Sequence, residues 1–146
     1  MAFTGNYTCN VFRTGLLDGG YDFGTGTTDV FKIALYTNAA TLDATTTAYT
    51  ATGEVVASGY TAGGNTLVIN QVPTTGNPPN TTAYLSFANS SWTGAFTARG
   101  ALIYKANGTT NPAVCVLDFG ADKTSASTFV VQFPAATDTT AIIRIA

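Results

Sequence analysis

The sequence predicts an all-β domain, an antiparallel β-sandwich of jelly-roll type, and three observations point there. Apolar residues recur with period two in short runs, as in Phe31, Ile33 and Leu35, which is the spacing of a strand with one face in a core. Glycine, proline and asparagine separate these runs, and segments of helical periodicity are scarce. At 146 residues the chain has the size of one domain, in which folding buries roughly two thirds of the surface that the unfolded form exposes.

Residues 1–28 read as an N-terminal extended arm, with room for one short helix over 8–17, where Val11, Phe12, Leu16 and Leu17 gather on one side before Gly19 and Gly20. The glycine- and threonine-rich stretch 21–28 then leads into the body, residues 29–146. Its first strand spans 30–37, with Phe31, Ile33 and Leu35 inward and Lys32, Ala34 and Tyr36 on the other side. Weaker runs follow at 49–52 and 54–58, after a threonine-rich stretch, 41–52, that is the best candidate for a mobile loop unless Leu42 and Tyr49 pin it. Gly59 to Gly64 has turn chemistry before a strand over 65–72, and Pro73, Pro78 and Pro79 punctuate the next loop. Further strands fit 82–87, 95–98, 101–105, 113–119, 127–133 and 140–145. No long internal repeat is visible, which argues against a solenoid or propeller.

Composition limits what such a domain can do. The chain has no histidine, 8 acidic and 6 basic residues, a net charge of −2, and 10% charged residues, against about 25% in an ordinary soluble domain. There is no basic patch for nucleic acid and no polybasic or long apolar segment for a membrane. A surface so poor in charge is tolerable when much of it lies against other protein, because buried interface charges must be desolvated and paired. The first residues lack a basic and then apolar leader pattern, so synthesis in the cytoplasm is the expectation. Cys9 and Cys115 fit no metal spacing and read as two free structural thiols. The Asn-x-Ser/Thr triplets at Asn6, Asn80, Asn89 and Asn107 follow by chance from so much threonine and serine.

Without an imidazole, Ser-His-Asp and Cys-His chemistry is excluded. Glu54 and one of seven aspartates would have to face each other across a cleft to make a glycosidase, so no catalytic residue is assigned. Asp118-Phe119-Gly120 matches a kinase triplet without its companion motifs and reads as a strand end with a turn, where Asp118, Asp122 and Lys123 can pair. Asp18, Asp22 and Asp29 are not spaced as a calcium loop, and Gly59, Gly63 and Gly64 lack the lysine of a phosphate loop. No metal and no cofactor is expected. Trp92, Tyr60, Tyr84 and Tyr104 raise sugar stacking as a second possibility, against the ordinary place of a lone tryptophan in a core or interface.

Several blocks, in order, resemble small virion structural proteins of tailed bacteriophages. They are Phe31 to Tyr36, Glu54, Gly59 to Gly64, Phe87 with Trp92, Ala98 to Tyr104, Val116 to Gly120 with Asp122-Lys123, and Phe133-Pro134 with Ala141 to Arg144. Together they cover nearly all of the chain from residue 29, and the arm matches less clearly. The resemblance is to capsid cement or decoration proteins, and it implies a non-enzymatic β-sandwich on the outer capsid surface of a virion, bound across subunits of the major capsid protein and to itself as a dimer or trimer. Under that reading Phe3, Tyr7, Phe12, Leu16 and Tyr21 are candidate arm contacts reaching over a neighbour, unless the arm folds back on its own sandwich. Lys32, Arg99 and Lys105 are candidate surface contacts. The alternative is a tail or fibre component holding a host glycan through Tyr60 or Trp92, and a pilin-like subunit ranks last for want of a leader and a disulfide.

Overall fold

The structure, a computed structural model, describes residues 3–146. Ten strands and one helix follow in chain order: β1 (Tyr7–Thr8), α1 (Asn10–Leu17), β2 (Phe31–Tyr36), β3 (Asn65–Thr66), β4 (Ile69–Thr75), β5 (Ala83–Phe87), β6 (Ser90–Thr93), β7 (Thr97–Lys105), β8 (Ala113–Thr124), β9 (Thr128–Val131) and β10 (Ile143–Ile145). Every pairing is antiparallel. One sheet runs β1-β8-β7-β2-β3, a second β10-β5-β4, and β6 pairs with β9 alone. The all-β antiparallel class is as the sequence predicts. The finer jelly-roll connectivity is not confirmed by sheets of five, three and two strands.

The centre of the large sheet is β2 against β7, in unbroken register from Phe31–Lys105 to Tyr36–Gly100. The sequence predicts a half-buried β2, but Ala34 and Tyr36 are as buried as Ile33 and Leu35, and only Lys32 is partly exposed. Residues 37–64 cause the difference: they pair along the edge of β2, with Val55 N–H donating to Leu35 O at 2.9 Å and Thr37 N–H to Gly53 O at 2.9 Å, and reach over its second face, where the Tyr36 hydroxyl donates to Thr50 O at 2.7 Å and the Tyr49 ring stacks on Tyr104. Strands predicted at 49–52 and 54–58 are reduced there to single bridges, Ala48 with Pro112 and Tyr36 with Glu54. Gly64, at φ +72°, lies so close to β2 that a Cβ would stand 1.8 Å from Ile33 O, so no other residue fits this turn.

Two separate runs, 95–98 and 101–105, merge into β7 because Gly100 continues the strand. A Cβ there would lie 2.4 Å from the Phe3 ring, so the bare backbone at Gly100 is the seat of that side chain. Pro73, expected in a loop, stands within β4, which tolerates it as an edge strand with two register shifts.

β6 and β7 on one side, β8 and β9 on the other, form a single long hairpin with a bend. The register Trp92–Phe129, Thr93–Thr128 continues to Thr97–Thr124 and Ala98–Lys123. At the bend Gly94 N–H donates to Ser127 O at 2.8 Å, Ser125 N–H to Phe96 O at 2.9 Å, and the Ser125 hydroxyl to Gly94 O at 2.6 Å. Serine at 125 keeps the ladder satisfied while the ribbon turns out of the large sheet. Farther along β8 the register slips between Ala98–Lys123 and Gly100–Asp118, a bulge over Phe119 to Asp122 in which Asp118 accepts from Gly120 N–H at 2.8 Å.

The arm folds back, the second of the two readings above. Its β1 adds to the edge of β8, Cys9 N–H donates to Val114 O at 3.0 Å, and α1 forms where the sequence predicts a helix. Phe12 meets Tyr21 edge-on at 4.9 Å and Phe23 at 6.0 Å, and Phe23 stacks on Phe31 at 4.3 Å. Phe3, Cys9, Phe12 and Phe23 belong to the same apolar core as the strands, so packing does not divide at residue 28. Phe12→Ala is predicted to cost about 3–5 kcal/mol in denaturant unfolding, as a core aromatic does; a change below about 0.5 kcal/mol, the range of surface sites, would mean that the arm is not part of the core.

Candidate functional site

The best-built polar arrangement lies under residues 37–64. The bridge to Tyr36 sets Glu54 beside β2, where it is 6% exposed. Its Oε2 accepts the Tyr49 hydroxyl at 2.6 Å, and its Oε1 accepts the Tyr60 hydroxyl at 2.7 Å and Gly63 N–H at 2.7 Å. Two more tyrosines close the site: Tyr104 donates to Gly63 O at 2.8 Å and Tyr36 to Thr50 O at 2.7 Å. The Tyr49 and Tyr104 rings stack at 4.8 Å, and the Tyr60 oxygen also accepts Leu35 N–H at 2.9 Å. A buried carboxylate is tolerable only when hydrogen bonds replace its water, and three donors do so here.

The same contacts hold the tyrosines neutral. Burial pushes Tyr36, Tyr49 and Tyr60 well above the ordinary phenol value, and the Glu54 charge adds to it, directly through a hydrogen bond for Tyr49 and Tyr60. Burial, then the Glu54 charge, pushes Tyr104 up to about 12. Glu54 is thus an anchor: its oxygens face two phenols and a peptide N–H.

The aromatic platform considered for sugar is turned inward. Trp92 and Tyr104 are buried, the Trp92 ring lies 6.1 Å from Tyr60 and 6.3 Å from Phe129, and the Tyr60 hydroxyl is committed to Glu54. Tyr60 and Tyr84 are partly exposed, Tyr84 beside a cleft with Leu16, Tyr21, Val72, Leu85 and Ile145.

The arm candidates are placed as follows. Phe3 and Phe12 are buried, and Tyr7, Leu16 and Tyr21 pack partly buried against the core, with the Tyr21 hydroxyl donating to Ala113 O at 3.0 Å. Their need for a cover is met within the chain. Of the candidate cations, Arg99 pairs with Asp118 and lies 5.9 Å over the Phe3 ring. Lys105 pairs with Asp29 at 2.8 Å and donates to Gly20 O at 2.9 Å. Asp118 therefore pairs across the hairpin, not with Lys123 as the sequence suggests. Lys32 makes no ion pair among the described residues and stays partly exposed. The two thiols are buried and free; burial pushes Cys9 up to about 12 and Cys115 higher. With Thr8 opposite Cys115, Cys9 falls on the other face of the sheet, too far round for a bridge.

Sequence reasoning missed the surface. Leu17, Val30, Val56, Val68, Val72, Val130 and Ile145 are exposed, Leu17 and Val56 almost fully, at 90% and 96%. The signal was available at Val130, which takes the outward phase between buried Phe129 and Val131. Among the described residues no cluster of metal-ligating side chains occurs, and no helix is long and apolar enough to cross a membrane. Comparison with known protein families, with curated proteins and with solved structures finds no match.

Two outcomes follow from the Glu54 site. Tyr60→Phe keeps the ring but removes a charge-assisted bond and the acceptor for Leu35 N–H, so a loss of about 1.5–3 kcal/mol in denaturant unfolding is expected. A loss under about 0.5 kcal/mol would show that the network contributes nothing. Because the folded-state values are raised, the tyrosines' contribution is complete below the unfolded value of about 10 and is lost as pH rises through the folded values. For Tyr104 that end lies at about 12. Ionisation of Tyr36, Tyr49, Tyr60 and Tyr104, followed residue by residue by NMR, should therefore coincide with the loss of far-UV dichroism in one alkaline transition; ionisation of these four in a chain that stays folded would contradict the site.

Proposed function

We propose that this chain is a non-enzymatic virion structural protein of a tailed bacteriophage, a cement or decoration protein on the outer capsid surface that binds across subunits of the major capsid protein. The observation that carries the reading beyond the sequence resemblance is the character of the surface: large apolar side chains stand exposed on a body with few free charges. Scattered exposed apolar residues are ordinary; Leu17 and Val56, almost fully in water on a rigid domain, are the ones that gain most from being covered.

The physical role fits such a body. A packaged genome presses outward on its shell, and a protein that buries area across joints adds binding free energy present only in the assembled state. Many copies multiply a modest contact. The folded-back arm moves the proposed contact from Phe3, Phe12 and Tyr21 to the exposed valines and Leu17. The glycan-binding alternative loses its carrier with Trp92 buried and Tyr60 held by Glu54.

Particles lacking this protein should assemble yet release genome at a lower temperature than complete ones, and Leu17→Glu with Val56→Glu should lower occupancy on the head at least tenfold. The isolated double variant should unfold within about 0.5 kcal/mol per site of the parent, since both positions lie at the surface. Equal thermal release with and without the protein would contradict cementing.

A further inference from the structure

The sheets leave several strand edges without a partner, and all but one are protected. β1 and β3 are two residues long, β10 is three with Arg144 at its centre, β4 has Pro73 and two register shifts, the outer half of β8 is bulged beside Asp122 and Lys123, and the free side of β6 is covered, Asn65 Nδ2 donating to Ser91 O at 2.8 Å and Gly59 packing against Thr93 O. Such features are how proteins stop an edge from pairing with another chain. β9 has none of them. Its pairing with β6 is regular, and residues 124–137 contain no charged residue and no proline before Pro134. Val130 is half-exposed, and an open cleft between β9 and the β8 bulge is lined by Phe119, Lys123, Thr128, Val130 and Gln132.

The direction of its backbone groups follows from the bend. Ser125 N–H donates to Phe96 O and Gly94 N–H to Ser127 O. In an antiparallel ladder the hydrogen-bonded pairs recur every second residue, so Trp92–Phe129 and Ser90–Val131 are the bonded pairs of β6 and β9. The N–H and C=O of Thr128 and Val130 then point away from β6, and no described residue bonds them.

We propose that β9 is a self-association edge, at which a second copy of this chain pairs its own β9 antiparallel about a two-fold axis. With Phe129 on the axis, Thr128 of one copy stands opposite Val130 of the other. All four outward groups of each strand are satisfied at once in four interchain N–H···O bonds, and the two β6-β9 ribbons become one four-stranded sheet. The occupant is a second copy because the short edge is complementary to itself: an isologous contact brings identical uncharged strands together without like-charge repulsion and leaves neither copy with an open edge. Trp92, Phe129 and Val131 stay in each copy's core, so pairing needs no rearrangement within a copy.

The inference rests on strand geometry, independently of any role on a virion, so a monomeric chain overturns it and leaves the particle experiment standing. The test is sedimentation equilibrium of the full chain over a wide concentration range, with amide hydrogen exchange at Thr128 and Val130. The parent should dimerise, and protection of both amides should rise with concentration. Val130→Pro removes an outward N–H that the monomer does not use, and Thr128→Lys places a charge at the junction without touching the peptide group. Each should lower the association constant at least tenfold, whereas Val72→Lys on the β4 edge should leave it unchanged. If Val130→Pro fails to fold, Thr128→Lys decides. A monomer at every concentration, or a dimer that Thr128→Lys does not weaken, overturns the proposal.

Discussion

Residues 37–64 contain almost no regular secondary structure, and the buried carboxylate of Glu54 ties them into one unit, which Tyr36, Leu35 N–H and Tyr104 then hold against β2 and β7. Three hydrogen bonds and two further tyrosines converge on this site, so the segment is held by its middle as well as by its ends. Its consequence for the large sheet is burial on both faces: the core lies on one side of β2, and the tyrosine-lined segment covers Ala34 and Tyr36 on the other. A central strand with both faces covered is otherwise typical of sheets flanked by helices. Here a loop takes that place, and a carboxylate makes it rigid.

That rigidity bears on what the protein can offer a partner. Charges are few, and two of the six cations are committed at home, Arg99 to Asp118 and Lys105 to Asp29. The large aromatics are turned inward around Glu54, Trp92 and Phe12. What remains outside is a polar, threonine-rich skin with separate apolar side chains and one unprotected strand edge. Such a surface has little to steer or polarise a small molecule and much to gain from area. The proposed cement role and the proposed β9 pairing both use it in that way.

The class of the fold was legible because strands announce themselves by period two, and the best-patterned strands, β2, β5 and β8, sit close to their expected places. Burial of the second face of β2 was not legible, since the cover comes from residues 37–64, in which the threonine-rich stretch 41–52 reads as a mobile loop. Leu42 and Tyr49 do pin that loop, the alternative the sequence leaves open, but the pin at Glu54 depends on Tyr49, Tyr60 and Gly63, which lie five to nine residues away in irregular chain that no periodicity marks. The arm's docking stayed open for a related reason: its helix is legible, but glycines at 15, 19, 20, 24 and 26 break the pattern by which Phe12, Tyr21 and Phe23 reach Phe31. β6 went unseen because Ser90 to Thr93 has one large apolar residue, and its strand state is imposed by β9 through the bent hairpin.

The central claim is that this chain acts by covering and being covered, and imaging the intact particle at side-chain resolution tests it most directly. The account predicts the chain on the outside of the head, its fold as described, with Leu17 and Val56 buried beneath neighbouring subunits. Finding those side chains in solvent on a particle-bound copy, or finding the chain absent from the head, would contradict it.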